Sequence, residues 1–237
     1  MKINTDGVIL GALSTFSSPA SGNRVLDIGT GTGVIALMLT QRFSLACIDA
    51  VEIDKSAAQS AGRNFSESPY ADRLSVFLGD FAAFNFPHKY DLIVSNPPFF
   101  INDLKSPEER KSIARHAGND FFENLVSKCT ELLTDNGLLW LILPVKQADL
   151  VVSLGCSHGL QLIKVINIHS DAGKPVIRKV ICLKKVLLME EVLDLKKGLD
   201  TGKVFEDAAS ETFYIYETEK VYTQQYKQLL KDFFLAF

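Results

Sequence analysis

Nowhere in its 237 residues does this chain hold an apolar run near the roughly 20 residues a membrane-crossing helix needs, which argues against a helical membrane protein. The opening MKINTDGVILGALSTF has one Lys, an internal Asp and no small-residue cleavage site ahead of the polar SSPASGN, so it reads poorly as an export signal. Cysteine is sparse: Cys47, Cys129, Cys156 and Cys182 lie far apart without a C-x-x-C, and three of them sit in apolar surroundings. Reduced, packed thiols are expected rather than a disulfide framework. His88, His116, His158 and His169 share no ligand spacing, so no metal site is expected. With only 15 Gly and 8 Pro the chain is neither low-complexity nor collagen-like. A basic excess is missing as well, the formal net charge being −3. Any polyanion partner must therefore be held by a local patch and not by total charge.

What is present is an ordinary globular balance, 47% hydrophobic and 22% charged, enough apolar surface to offset the entropy of ordering. Short apolar runs alternate with helical spacing. RVLDI (24–28) is followed by GTGTG and a helical VIALMLTQRF, then ACIDAVEID (46–54) by KSAAQSAGRNF. LSVFLGD (74–80), YDLIVSNPPFF (90–100), a helix at about 119–134, GLLWLILP (137–144) and a helix from near Gln147 come next. QLIKVINIH (161–169) and VIRKVICLKK (176–185) close the series, separated by only SDAGKPV. This predicts an α/β fold: a mostly parallel sheet with helices on both faces and an antiparallel hairpin at one edge. In the tail, EEVLDLKK and TFYIYE suggest short strands and VYTQQYKQLLKDFFLAF a helix. Its many aromatics are expected to pack on the domain. Residues 1–237 are expected to form one domain, with 190–237 an extension packed on the core.

The loop Asp27-Ile28-Gly29-Thr30-Gly31-Thr32-Gly33 joins the first strand to the first helix of this series, where open α/β sheets bind ligands. A dinucleotide fingerprint needs a third Gly where this chain has Val34. Glu52 ends the second strand and suits ribose hydroxyls; Asp80, after the third, suits an adenine amino group. Three carboxylates around one pocket repel a pyrophosphate but favour a ligand carrying an ammonium and a sulfonium, such as S-adenosylmethionine.

Ser95-Asn96-Pro97-Pro98-Phe99-Phe100 follows the fourth strand. The prolines stiffen the path and contribute no N–H, leaving carbonyls as acceptors. The Asn96 amide oxygen and the Pro97 carbonyl can each accept a hydrogen from a conjugated amino group, turning its lone pair out of the plane toward an incoming methyl group. Phe99 offers a face for a planar base.

On these residues the chain resembles the class I S-adenosylmethionine-dependent methyltransferases that carry N-P-P-[FY]. The stretch Lys2–Ala12, VLDIGTGTGVIALMLTQR, AVEID, SPYADRL, DLIVSNPPFF and YKQLLKDFF together resemble the bacterial tRNA1(Val) adenine-37 N6-methyltransferase family along nearly the whole chain. That resemblance implies a Rossmann-like sheet of seven strands, S-adenosylmethionine as donor, the N6 of an anticodon-loop adenine as acceptor, and a cytoplasmic monomer or weak homodimer. It also implies that Asp27, Gly29 and Gly31 line the donor's methionine end, Glu52 its ribose and Asp80 its adenine. Asn96, Pro97 and Phe99 are then catalytic, with Asn96 also beside the donor. Residues 1–22 would cover the donor, Asp6 lying near it. Candidate RNA contacts are Pro98, Phe100, Lys105, Arg110, Lys111, Arg115, Lys174, Arg178 and Lys179, with 101–118 as a polar substrate-gating loop. Three alternatives stay open. A release-factor glutamine N5-methyltransferase usually carries a helical domain ahead of this core, and an rRNA guanine-N2 enzyme usually has His where this chain has Phe100. A non-catalytic donor-binding module would not need the intact Asn96-Pro97-Pro98-Phe99.

Overall fold

The computed structural model describes residues 4–18, 20–98, 107–186, 204 and 207–234, with 107–119 in backbone only. The β-branched and aliphatic runs form β1 (Arg24–Ile28), β2 (Cys47–Glu52), β3 (Leu74–Leu78), β4 (Tyr90–Ser95), β5 (Leu133–Leu143), β6 (Leu160–His169) and β7 (Val176–Lys185). The tail adds β8 (Ala209–Tyr214) and a small hairpin, β9 (Tyr216–Thr218) with β10 (Val221–Tyr222). Helices are α1 (Thr5–Leu13), α2 (Val34–Arg42), α3 (Lys55–Glu67), α4 (Pro107–Leu132), α5 (Val145–Ser157) and α6 (Gln224–Leu230).

Three helices start where a side chain caps them. Asn4 accepts from Gly7 N, Asp54 from Ala57 N and Thr223 from Tyr226 N, satisfying N–H groups that have no partner inside the helix. Helix α1 stands where the sequence suggested only a covering segment. Its far end is held by Arg42, whose guanidinium donates to the carbonyls of Gly11 and Ser14, and by Trp140 Nε1 donating to the Thr15 carbonyl.

The sheet order is β3-β2-β1-β4-β5-β7-β6-β8, parallel throughout except for β7. Two details differ from expectation. Among the described residues this sheet has eight strands, because residues 209–214 pair in parallel with β6. The antiparallel strand also lies inside the sheet and not at its edge: the β6–β7 hairpin folds back so that β7 fills the space beside β5. Strand β8 then covers the β6 edge, which would otherwise expose unpaired backbone groups. Helix α4 is longer than predicted, and residues 107–118, expected as a loop, are its first part. Pro107 at the first helical position, followed by Glu108 and Glu109, is a helix-start signal that the polar composition obscured. Of the two tail strands expected, TFYIYE lies in β8 and β9, while EEVLDLKK falls outside the described residues.

Strand residues alternate between two apolar layers, as period-two geometry requires. Val25, Ile48, Leu92, Val94 and Trp140 face α1, α2, α3 and α6. Leu26, Ile28, Ile93, Leu139 and Leu141 face α4 and α5. In register, Ile28 pairs with both Val51 and Ser95, and Glu52 with Leu78. The segments leaving β1, β2, β3 and β4 therefore emerge along one edge of the sheet. The chain order reverses between β1 and β4, which makes that edge a topological switch point.

Candidate active site

The loop after β1 is built around one buried carboxylate. Asp27 is fully buried; its Oδ2 accepts from Thr30 Oγ1 at 2.6 Å and from Ala36 N at 3.2 Å. Its Oδ1 is buried and, among the described residues, without a hydrogen-bond partner. Burial above all, opposed by those two hydrogen bonds and reinforced by Glu52, pushes the Asp27 carboxyl up to about 7. Beside it Gly29 adopts φ +68°, and a Cβ there would meet nothing within 4 Å, so the backbone faces open space. Gly33 opens α2 at φ +88° with its Cα against the Phe65 ring; a Cβ there would collide with Phe65 Cε1.

Glu52 is fixed by the chain around it, Oε2 accepting from Gly31 N at 2.8 Å and Oε1 from Asp54 N at 2.9 Å. Each oxygen keeps a lone pair for a further donor. Gly79 N donates to the Glu52 carbonyl, which brings the turn carrying Asp80 alongside; Asp80 itself is exposed and accepts from Ala82 N.

Ser95 Oγ donates to the Ile28 carbonyl at 2.9 Å and so ties the end of β4 to the end of β1. Asn96 follows directly. Its Nδ2 donates to Asn4 Oδ1 at 3.3 Å, and its Oδ1 is buried and, among the described residues, unpartnered. The amide orientation follows from chemistry. Gly7 N donates to Asn4 Oδ1 at 2.7 Å, so that oxygen is an acceptor and the Asn96 group facing it must be the NH2. The Asn96 oxygen is thereby left as an acceptor. Pro97 is buried and Pro98 exposed.

Asp27, Gly29, Gly31, Glu52, Asn96 and Pro97 thus converge at the switch point, with Asp80 at its β3 side. Asp6 lies in the first turn of α1, two residues from Asn4, and its carboxylate pairs with Arg178. Lys174 stands further along the same edge, in the β6–β7 turn, and Lys179 pairs with Asp149. Phe99, Phe100 and Lys105 lie outside the described residues; Arg110, Lys111 and Arg115 fall in the part of α4 described in backbone only. Sequence reasoning missed Asn4 and the tie made by Ser95. The Asn-Thr-Asp ahead of an apolar run was a cap signal, but nothing local pointed to Asn96.

A switch-point Gly loop, acidic groups at the ends of β1 and β2 and after β3, an Asn-Pro-Pro corner after β4 and an antiparallel β7 define a class I methyltransferase. The fold agrees with the crystal structure of a predicted O-methyltransferase from Agrobacterium tumefaciens, at a TM-score of 0.68 and 17% identity over 96% of each chain. The small-domain methyltransferase family ("Methyltransferase small domain") matches residues 9–153. Over the full chain the sequence is 46% identical to the tRNA1(Val) (adenine(37)-N6)-methyltransferase of Pedobacter heparinus, covering 92% of that protein. It is 33% identical to the enzyme of the same name from Dyadobacter fermentans, again over all of this chain and 92% of the relative. The chain belongs to the tRNA1(Val) (adenine(37)-N6)-methyltransferase family.

Proposed function

We propose that this protein transfers a methyl group from S-adenosylmethionine to the exocyclic N6 of adenine 37 in tRNA1(Val), acting in the cytoplasm. The observation that carries the reading is the buried Asn96 Oδ1 beside the Gly loop, unpartnered among the described residues. Leaving a buried acceptor unpaired costs about 1–3 kcal/mol, so it is retained where a ligand supplies the missing donor.

The donor-side residues fit the cofactor. The second buried oxygen unpartnered among the described residues, Asp27 Oδ1, and the open space over Gly29 suit a methionine group bearing an ammonium. Glu52 would hold the ribose and Asp80 the adenine. When bound, S-adenosylmethionine supplies an electrophilic methyl on a sulfonium.

The acceptor chemistry belongs to the corner after β4. Asn96 Oδ1 accepts one amino hydrogen of the adenine and the Pro97 carbonyl accepts the other. Holding both hydrogens weakens conjugation of the nitrogen with the ring and turns its lone pair out of the ring plane. The same two oxygens stabilise the positive charge that grows on nitrogen as the N–C bond forms. Asn96 has no proton to take, so the extra proton leaves to solvent after transfer. Asn4 keeps the Asn96 oxygen, and not its NH2, toward the substrate.

The test is transfer of labelled methyl from the donor to total tRNA, rRNA and release factor, each taken from a strain lacking the gene. Label confined to tRNA, mapped to adenine 37, is expected. Label in release factor alone would move the chemistry to a side-chain amide, and label in rRNA alone to a guanine.

A further inference from the structure

Past β8 the chain rises into the β9–β10 hairpin, which faces the β6–β7 turn across a cavity of about 550 Å³. Lys174 and Asp171 line it from the β6–β7 turn; Tyr216, Tyr222, Glu219 and Lys220 line it from the hairpin. The two hairpin tyrosines belong to a stack that starts in the core. Buried Tyr226 lies parallel to Tyr222 (centroids 4.5 Å, planes 9° apart), and Tyr222 lies over Tyr216 (5.1 Å, 22°). Tyr222 is thus covered on both faces and Tyr216 ends the series as a half-buried ring at the cavity wall.

We propose that this cavity binds one nucleotide of the substrate RNA, its base continuing the tyrosine stack on Tyr216 and its phosphate held by Lys174 and Lys220. The inference rests on the RNA reading given above. Parallel stacking is the mode by which aromatic side chains hold bases without reading their sequence, and ammonium groups from two separate loops suit a phosphate between them. Lys220 adds an independent sign. It occupies the two-residue β9–β10 turn at φ +63°, a conformation Gly or Asn adopts at less cost, so a long cationic side chain is kept there against backbone preference. The carboxylates fit the same ligand: Asp171 Oδ1 is engaged by Gly173 N, and Glu219 is an acceptor for a ribose hydroxyl or base amine. Strand β6 is three strand spacings from β4, roughly 15 Å at about 4.8 Å each, and both strands end on the same edge. The bound nucleotide is therefore a neighbour of the reacting adenine in the same loop and not that adenine itself.

The test uses the full chain and an unmodified anticodon stem-loop RNA. RNA binding is followed by fluorescence anisotropy and donor binding by calorimetry. Tyr216→Ala is expected to weaken RNA binding by about tenfold or more with donor affinity within twofold, and Tyr216→Trp to bind RNA as the parent does. Reversing both lysines (Lys174→Glu with Lys220→Glu) should reduce the slope of log affinity against log salt by about 0.7, the share of the one phosphate they hold together. Because Tyr216→Ala removes part of the stack, parent protein is also photocrosslinked to 5-bromouridine-substituted RNA, where the adduct is expected on Tyr216. Parent-like RNA affinity in both variants, or crosslinks only elsewhere, overturns the proposal even if the enzyme methylates tRNA. Displacement of the RNA by micromolar adenosine monophosphate overturns it in favour of a free-nucleotide site. A parent enzyme that neither binds nor methylates tRNA instead sinks the functional reading beneath it.

Discussion

Arg178 Nε, at the start of β7, donates to Asp6 Oδ2 in the first turn of α1 at 2.9 Å. The pair fastens the N-terminal helix to the sheet within two residues of Asn4, and so next to the Asn96 amide proposed to act on the substrate. Its side chains are 29% and 21% exposed, intermediate between a rim pair and a core pair. A double-mutant cycle with Arg178→Met and Asp6→Asn should return a coupling of about 1 kcal/mol in thermal or denaturant unfolding. Since the guanidinium serves Asp6, Arg178→Met should leave the salt slope of RNA binding as in the parent. A slope lower by about 0.7 would place Arg178 on a phosphate.

Asn4 has two tasks that substitution can separate. As the N-cap of α1 it contributes about 1 kcal/mol, and as the acceptor facing Asn96 it fixes which amide atom is left for the proposed substrate contact. Asn4→Ala should lose both, with lower stability and a kcat down about tenfold. Asn4→Ser keeps a capping oxygen on a shorter side chain, so unfolding should return close to the parent while kcat stays low. Recovery of kcat together with stability would reduce Asn4 to a cap.

Asn96→Ala removes the acceptor but no group that holds Asp27, Glu52 or the Gly loop. Transfer should fall by about 10²–10³, the loss typical of deleting one preorganised group that stabilises transition-state charge, with donor affinity within a few-fold. Calorimetry with the donor and single-turnover transfer measure the two separately. Loss of donor affinity with the rate constant intact would reassign Asn96 to the donor side.

The parts of this site that follow from local pattern were legible beforehand. Asp27, the Gly loop, Glu52, Asp80 and Asn96-Pro97 each sit at or just past the end of a strand that its own composition announces, and strand ends share an edge in any parallel sheet. The orienting contacts were not legible. Asn96 meets Asn4 across 92 residues, Ser95 meets Ile28 across 67 and Arg178 meets Asp6 across 172. Such pairs exist only once β4 lies beside β1 and β7 beside β5, and no periodicity in any one segment encodes them. The same holds for β8: its alternation marks a strand, but its place beside β6 follows from an edge that the sheet leaves open.

Asp27 gives the last prediction, because its state couples stability, pH and ligand. With the carboxyl raised to about 7 in the folded protein from 3.8, the folded state keeps a proton that the unfolded chain has lost between those values. Stability contributed at this site therefore falls as pH rises from about 4 to 7 and is level above, the full effect being of order 4 kcal/mol. Asp27→Asn keeps an acceptor for Thr30 and Ala36 while replacing a buried charge by a neutral amide, so its unfolding should lose that pH dependence and be more stable at pH 8 by about 1–2 kcal/mol. If Asp27 Oδ1 receives the donor's ammonium as proposed, donor affinity should fall at least tenfold. For the parent, an ammonium beside Asp27 favours the ionised carboxylate, so donor binding at pH 6 should expel most of one proton and at pH 8.5 almost none. Binding heats in two buffers of different ionisation enthalpy count those protons. Equal heats at pH 6, with Asp27→Asn binding the donor as tightly as the parent, would remove Asp27 from the donor site.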